Sequence, residues 1–271
     1  MDNLILHLGV HKTATTYFQS RLYNSKKILS DNRVGYLGLD ATRRAITSKL
    51  HDKIEMSDEL KDIYSTSKSL IISDENIIGG TERITSQLIY PDVYNRLVAL
   101  KKKIKHNNVE ANITIRDPEA YLISRYCEYL RHYRFVSIGQ YFDSFNLNDF
   151  SWNPLLSTIE EALQCKVNVT CFENIFEDEV GYLNSITNLD IDYASAGEGS
   201  SIKRSKISLE SYRILEHLAD HYPAHMTRKL VNMMDNNKQK GKPTPLRPFS
   251  DEISQRLKEN YESDKKKLNL L

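Results

Sequence analysis

Short apolar runs alternate with amphipathic stretches along the first two thirds of the chain. Four runs have the length and composition of buried strands, over residues 4–8, 69–72, 112–115 and 167–172. Other stretches have apolar positions at helical spacing, over residues 15–23, 93–104, 119–133 and 155–163. Strands that alternate with helices predict a three-layer α/β fold, with a central parallel sheet flanked by helices. In such sheets, ligands bind at the carboxyl ends of the strands.

The last third of the chain has few strand signals. Residues 207–218 and 253–268 have helical spacing, whereas 190–201 and 235–250 are polar stretches that predict loops. Neither loop is long enough to separate two domains, and 271 residues suffice for one large core. We therefore expect a single domain over residues 1–271, with a helical C-terminal part.

Composition and charge narrow the classes of function. The formal net charge is +1, which gives no overall field that would favour nucleic acid or an anionic membrane as partner. No apolar run of the sequence approaches the roughly 20 residues of a membrane span, and the N-terminal run is too short for a signal peptide. Cys127, Cys165 and Cys171 lack the spacing of metal ligands, and so few cysteines fit free thiols in a reducing compartment. We expect a cytoplasmic protein with no metal site, and the oligomeric state stays open.

Residues 9–16, GVHKTATT, join the first predicted strand to the first predicted helix. Backbone N–H groups and the helix dipole attract anions at such a helix start, and Lys12 adds a positive charge beside them. The nucleoside triphosphate motif G-x-x-x-x-G-K-[ST] has a longer loop, and His11 stands here in place of its second glycine. A shorter loop surrounds fewer phosphates, which favours a 5′-phosphate-type anion over a β,γ-diphosphate. The residues expected at this site are Gly9, Lys12, Thr13, Ala14, Thr15 and Thr16.

A second candidate phosphate site begins where the third predicted strand ends. Arg116 follows the strand, Asp117 can cap the next helix, and Pro118 suits its first turn. An arginine at a strand end and Ser124, two turns into the helix, can clamp a second phosphate. The alternative is that Arg116 pairs with Asp117 or Glu128 and that Ser124 has no binding role.

Together these two motifs resemble the signatures of the sulfotransferase family, whose members use 3′-phosphoadenosine 5′-phosphosulfate (PAPS) as the sulfuryl donor. KTATT at residues 12–16 is similar to the family's K-T-G-T-T loop, which binds the 5′-phosphosulfate. RDPEAYLIS at 116–124 has the family's arginine and serine eight positions apart, which implies that Arg116 and Ser124 hold the 3′-phosphate. Weaker similarity covers LIISDENI (70–77), VNVTCFENIF (167–176) and KRSKIS (203–208). In the last of these, Lys203 or Arg204 is expected to close over the 3′-phosphate.

The resemblance implies a P-loop-type fold and an enzyme that needs PAPS, a hydroxyl acceptor and no metal. The chain looks more like the bacterial, carbohydrate-directed sulfotransferases, because its sequence lacks the late glycine-rich loop of the cytosolic drug-metabolising enzymes. A carbohydrate or glycoconjugate is therefore the expected acceptor, although nothing in the sequence identifies it. Ala14 stands where the family usually has glycine, and we expect an ordinary helical φ at this residue.

Individual side chains can be given roles in sulfuryl transfer. Lys12 is expected to stabilise the oxygen of the leaving phosphate, while the backbone N–H groups of residues 13–16 hold the 5′-phosphate. A sugar hydroxyl must lose a proton, so a general base is needed. Glu75, just after the second predicted strand, is the first candidate, and His11 is the alternative. His7, within the first strand, is expected to be a core histidine with satisfied hydrogen bonds.

Two other classes of protein stay open. A P-loop kinase that uses ATP and Mg²⁺ would explain the apolar strand leading to Asp74, because such enzymes place a Mg²⁺-binding aspartate there. A non-catalytic nucleotide-binding module would explain the anion site without any reaction. The aromatic residues around 126–135 and Trp152 are expected to be core rather than an acceptor groove, because a stripe at helical spacing is usually buried.

Overall fold

Five parallel strands form one central sheet in the described residues, which confirms the α/β class. The computed structural model describes residues 2–50, 57–82, 84–85, 88–104, 108–197, 207–236 and 242–270. The strand order is β2-β3-β1-β4-β5, and all neighbours are parallel. The strands are β1 (Asn3–His7), β2 (Val34–Leu37), β3 (Ser69–Ser73), β4 (Asn108–Ile115) and β5 (Val167–Cys171).

Helices precede or follow every strand, and the described residues contain two short 3₁₀ turns, Thr47–Lys49 and Glu75–Ile77. The helices are α1 (Thr15–Asn24), α2 (Lys26–Asp31), α3 (Leu39–Ala45), α4 (Asp58–Thr66), α5 (Val93–Ile104), α6 (Pro118–His132), α7 (Ile138–Phe142), α8 (Asn153–Leu163), α9 (Glu179–Thr187), α10 (Leu209–Ala219), α11 (Ala224–Asn236) and α12 (Asp251–Lys267).

The central strand β1 is covered on both faces. Leu4 and Leu6 belong to the larger apolar core, whereas Ile5 packs into a second cluster with Phe18 and Leu22 of α1. Successive residues of a strand point to opposite faces, so the two clusters are the two helical layers around the sheet. This double burial explains why the strand is a continuous apolar run rather than an alternating one.

All four predicted strands are present, but the sheet has a fifth that the pattern did not predict. The edge strand β2 has four residues, and it pairs with β3 from Val34 opposite Ser69. So short a run, with Gly35 inside it, carries little periodic signal. A Cβ on Gly35 would lie 2.2 Å from a methyl carbon of Ile63, so glycine is what lets α4 approach the strand.

The third predicted strand corresponds to β4, and its expected start at residue 112 was wrong. β4 begins at Asn108, which lies opposite Asn3 of β1. Polar Glu110 and Asn112 interrupt the apolar pattern, but backbone pairing with β1 and β5 carries the strand through them.

All six predicted helices are present, with ends within two residues of the expected bounds. Six helices of the described residues were missed. α2, α3 and α7 have five to seven residues, which are too few to show a period, whereas α4, α9 and α11 have nine to thirteen. One loop was placed too early, because α11 extends to Asn236 while the loop was expected from 235. Residues 190–197 of the other predicted loop have no regular structure.

The C-terminal helix α12 is tied to the segment before α8. Its buried Asp264 accepts hydrogen bonds from the Ser151 hydroxyl and the Trp152 backbone N–H, both at 2.7 Å. The Trp152 indole is fully buried and donates to the carbonyl oxygen of Arg116 at 3.0 Å. Trp152 and Tyr126 are therefore core residues, as expected. None of the helices within the described ranges combines the length and apolar character needed to cross a membrane.

Candidate anion-binding and catalytic site

Three neighbouring strands bring the candidate residues to one edge of the sheet. The loop of residues 9–16 follows β1, the 3₁₀ turn Glu75–Ile77 follows β3, and Arg116 follows β4. The chain leaves β1 toward β2 on one side and leaves β4 toward β5 on the other, so a crevice opens between β1 and β4. Ligands of open parallel sheets bind at such a reversal of strand order.

The loop after β1 contains three residues in the left-handed region. Gly9 has φ 51°, Lys12 has φ 71° and Ala14 has φ 58°. The expectation of an ordinary helical φ at Ala14 was therefore wrong. Left-handed residues next to right-handed ones turn successive backbone N–H groups toward one point, which is the geometry of an anion-binding nest. The nest imposes the positive φ, and a β-carbon at this position is strained.

Replacing Ala14 by glycine is expected to stabilise the protein by about 0.5–1 kcal/mol, because the relief of left-handed strain exceeds the entropy that glycine loses on folding. Urea unfolding measures the change. The matched control is Ala99→Gly inside α5, which should destabilise by about 1 kcal/mol because helical φ suits alanine there. Equal destabilisation in the two variants would contradict the left-handed conformation of Ala14.

The start of α1 offers donors that no protein group satisfies. Among the described residues, the backbone N–H groups of residues 13–16 have no hydrogen-bond acceptor, and the Ala14 side chain provides no cap. The Thr15 hydroxyl is buried and also has no partner. Its oxygen would lie 2.8 Å from a Cβ on Gly9, so only glycine leaves room beside it. An unsatisfied buried hydroxyl is costly, and a bound anion would satisfy it together with the N–H groups of the helix start. The residues present thus fit a phosphate or sulfate group.

Arg116 joins the second motif to the first. Its Nη1 donates to the carbonyl oxygen of Lys12 at 2.8 Å, and its guanidinium lies 4.4 Å from the centroid of the Phe172 ring. Asp117 caps α6 by accepting from the Ala120 N–H, as expected. Ser124 is buried in the second turn of α6. Lys203 and Arg204, expected over the 3′-phosphate, lie outside the described residues.

The Lys12 ammonium group faces α6. Its Nζ lies 3.3 Å from Oε2 of Glu128, which also pairs with Arg131 and His132. The Lys12 side chain is 23% exposed, so it can be reached from solvent. From the sequence, Glu128 was considered as a partner of Arg116, but it pairs with Lys12 instead.

Glu75, the first candidate base, is held in a charged cluster. One of its oxygens lies 3.1 Å from Nη2 of Arg43, and the other accepts from the Gln19 amide at 3.4 Å. Burial first, and the neighbouring charge of Asp74 second, raise the pKa of Glu75. A carboxylate with a raised pKa is a stronger proton acceptor, as a general base requires.

Asp74 has a different environment from Glu75. It is fully buried, and its carboxylate accepts hydrogen bonds from the Arg43 guanidinium, the Thr47 hydroxyl and the backbone N–H of Asn76. These donors satisfy both oxygens, so Asp74 anchors the 3₁₀ turn that carries Glu75.

The two histidines of the first segment are both buried. His7 lies between the Ser73 hydroxyl at 2.7 Å and the Tyr182 hydroxyl at 2.9 Å, which confirms it as a satisfied core residue. His11 has both ring nitrogens in hydrogen bonds, and burial together with the charge of Arg125 lowers its pKa to about 3.

Several residues of the site were not found from the sequence. Gln19 lies one turn beyond Thr15 on the same face of α1, and its Oε1 is likewise buried without a partner. The spacing of the two residues was the available signal. Arg43 and Tyr90 have no local signal, since their partners lie 31 and 79 residues away.

The chain is an α/β protein with a five-stranded parallel sheet, and its candidate anion site lies at the start of α1, at the carboxyl edge of that sheet. No family model matches the chain, and no curated protein matches it. Among solved structures, the chain is similar to a sulfotransferase from Alicyclobacillus acidocaldarius, with 11% sequence identity and a TM-score of 0.43. The alignment covers 88% of this chain and 97% of that one. A likeness at this level says nothing about what the present chain binds or catalyses.

Proposed function

We propose that the protein is a sulfotransferase that moves a sulfuryl group from PAPS to a hydroxyl of a carbohydrate or glycoconjugate. The observation that carries the proposal is the set of unsatisfied donors at the start of α1, beside Lys12. Arg116 touches the backbone of the same loop and supplies a second cationic group at the crevice. Two anion-binding elements in contact suit a ligand with two phosphates, and their residues are those in which the sequence resembles sulfotransferases.

The donors at the start of α1 and the sequence resemblance together suggest the binding roles. The N–H groups of residues 13–16 and the Thr15 hydroxyl would hold the 5′-phosphate, with the Thr16 hydroxyl assisting. By the sequence resemblance, Arg116 and Ser124 would hold the 3′-phosphate, and Lys203 or Arg204, which lie outside the described residues, would close over it. PAPS supplies an activated sulfuryl group on its 5′-phosphate. Because the N–H groups are already oriented by the loop, binding costs little reorganisation.

The catalytic roles divide between two charged residues. The Lys12 ammonium would neutralise the charge that develops on the leaving phosphate oxygen. Its Nζ already lies 3.3 Å from a carboxylate oxygen of Glu128, so there is room for an anionic oxygen beside it. Glu75 would take the proton of the acceptor hydroxyl, which its raised pKa favours. His11 is the weaker candidate for this step, because both of its ring nitrogens already have partners.

The surroundings of Asp74 favour this proposal over a kinase. An aspartate that binds Mg²⁺ needs carboxylate oxygens directed at the metal and its phosphates. Here Arg43, Thr47 and a backbone N–H already occupy the oxygens of Asp74.

Adenosine 3′,5′-bisphosphate at saturating concentration is expected to raise the Tm of the protein by about 5 °C or more, because a ligand at 100 times its Kd stabilises by about 2.7 kcal/mol. ATP with Mg²⁺ should raise the Tm much less. Differential scanning fluorimetry measures both shifts. Selective stabilisation by ATP with Mg²⁺ would exclude the sulfotransferase proposal in favour of a kinase. Stabilisation by the bisphosphate without sulfation of any sugar in a broad acceptor panel would favour a binding module.

The control for this titration is Thr15→Val, which removes the unpartnered hydroxyl with little change in shape. The ligand-free variant should be at least as stable as the parent protein, because a buried unsatisfied group is lost. Its shift with the bisphosphate should be smaller. An unchanged shift would mean that Thr15 does not contact the anion.

A further inference from the structure

A chain of hydrogen bonds runs through the core from α6 to the edge of the candidate site. Arg125 is fully buried, and its Nη1 donates to the Tyr121 hydroxyl at 3.1 Å. Tyr121 donates in turn to the hydroxyl oxygen of Tyr90 at 3.0 Å. The Tyr90 hydroxyl lies 2.8 Å from Nδ1 of His11, and Nε2 of His11 lies 3.1 Å from Oδ1 of Asn76.

Arg125, at the start of this series of hydrogen bonds, determines which partner is the donor in each of them. A guanidinium can only donate, so Tyr121 accepts from Arg125 and uses its own proton toward Tyr90. The Tyr90 oxygen also accepts from the backbone N–H of His11 at 3.0 Å, which occupies its second lone pair. Its proton must therefore point to Nδ1 of His11. Because Nδ1 accepts, the ring is neutral and carries its proton on Nε2. The low pKa of His11, about 3, agrees with a neutral ring.

The protonated Nε2 in turn determines the orientation of the Asn76 amide. Asn76 must present its oxygen to His11, which leaves the two N–H groups of Nδ2 for another acceptor. Among the described residues no acceptor for them is found. The backbone of Asn76 is also held, since its N–H donates to Asp74 and its carbonyl oxygen accepts from Arg96 at 2.8 Å. The amide is thus a partly buried donor with a defined direction.

The position of Asn76 relative to the two motifs indicates which part of a ligand it meets. Asn76 follows β3, on one side of β1, whereas Arg116 follows β4, on the other side. Its hydrogen-bond partner His11 directly precedes Lys12. Asn76 therefore lies on the side of Glu75, in contact with the loop that carries Lys12, whereas Arg116 follows the strand on the other side of β1.

We infer that Nδ2 of Asn76 donates to the sulfonate group of the donor, and that Arg125, Tyr121 and Tyr90 are positioning residues that keep the amide in this orientation through His11. The inference rests on the proposed function. A neutral donor at this point holds a sulfonate oxygen without competing with Lys12 for the leaving phosphate oxygen.

The test is Asn76→Asp, which has the same shape and still offers an oxygen to His11 but replaces the donor by a negative oxygen. Isothermal titration calorimetry compares PAPS with adenosine 3′,5′-bisphosphate, which lacks the sulfonate. We expect PAPS to bind about 10-fold more weakly or worse, while the bisphosphate changes by less than about threefold. Asn95→Asp on the exposed face of α5 adds the same charge and should leave both affinities unchanged.

A second variant tests the positioning residues. Tyr90→Phe keeps the ring beside Arg125 but removes the hydroxyl that orients His11. We expect a selective loss of PAPS affinity smaller than that of Asn76→Asp, and loss of the Nε2–H tautomer signature in the ¹⁵N NMR spectrum of the His11 ring. An unchanged tautomer in Tyr90→Phe would overturn the positioning role.

Each remaining outcome decides between the proposals. Equal weakening of both ligands in Asn76→Asp, or no weakening of either, overturns the contact with the sulfonate while leaving the proposed function in place. Failure of the parent protein to bind either ligand overturns the proposed function and this inference with it.

Discussion

Lys12→Ala is expected, on the proposed function, to lower the rate of sulfuryl transfer by about 10²–10³-fold, because the variant loses the positive charge that would lie beside the leaving oxygen. The loss should fall on kcat more than on KM for PAPS, since the backbone N–H groups that would hold the 5′-phosphate remain. Initial rates with a sulfated acceptor product as readout measure the change. The fold should survive, because Glu128 keeps its pairing with Arg131.

The matched control is Lys27→Ala at the start of α2. Lys27 is 89% exposed and pairs only with Asp31 of its own helix among the described residues, so the variant should keep full activity. A Lys12→Ala protein with normal turnover would remove Lys12 from the catalytic role, while leaving the anion site of α1 untouched.

Glu75→Gln is expected to lower kcat by about 10²–10⁴-fold, because an amide cannot take the proton of the acceptor hydroxyl. The parent protein should lose activity as the pH falls through the pKa of Glu75, since only the ionised carboxylate is a base. Burial and the charge of Asp74 raise this pKa, so the acid limb of kcat/KM should lie above the value of about 4.3 of an unperturbed glutamate. The pH profile of kcat/KM measures this limb.

The same profile distinguishes Glu75 from His11. If His11 were the base, the acid limb of kcat/KM would lie near the lowered pKa of His11, about 3. Glu75→Gln would then leave the position of this limb unchanged. Glu59→Gln serves as the control, because Glu59 is exposed and pairs with Lys26 at the surface. Glutamine can still accept from Arg43, so urea unfolding should show a folded Glu75→Gln protein.

Elements with many residues of one period could be predicted from the sequence. The long helices α5, α6 and α12 and the buried strands around β1 have enough apolar positions to show their periods. The edge strand β2 and the one- and two-turn helices do not, because their form depends on neighbours rather than on their own pattern. β4 shows the same dependence, since pairing with β1 extends it through polar Glu110 and Asn112.

Some features of the candidate site could likewise be predicted from the sequence, and others could not. The GVHKTATT segment and the Arg116–Ser124 spacing indicated two candidate anion-binding elements, and in the fold Arg116 of the second donates to the Lys12 carbonyl oxygen of the first. Local spacing could indicate them because each element lies within one strand–helix junction. The left-handed φ of Ala14 could not be read in this way, since it reflects how the whole loop turns its N–H groups.

Local sequence therefore indicated the two strand–helix junctions of the site, the longer strands and helices, and the charged residues that follow β1, β3 and β4. The environment of each charged residue came from contacts between distant segments. Lys12 meets Glu128 across 116 residues, and Tyr90 engages His11 across 79. Protonation states and amide orientations depend on burial and on such partners, which exist only once the chain has folded.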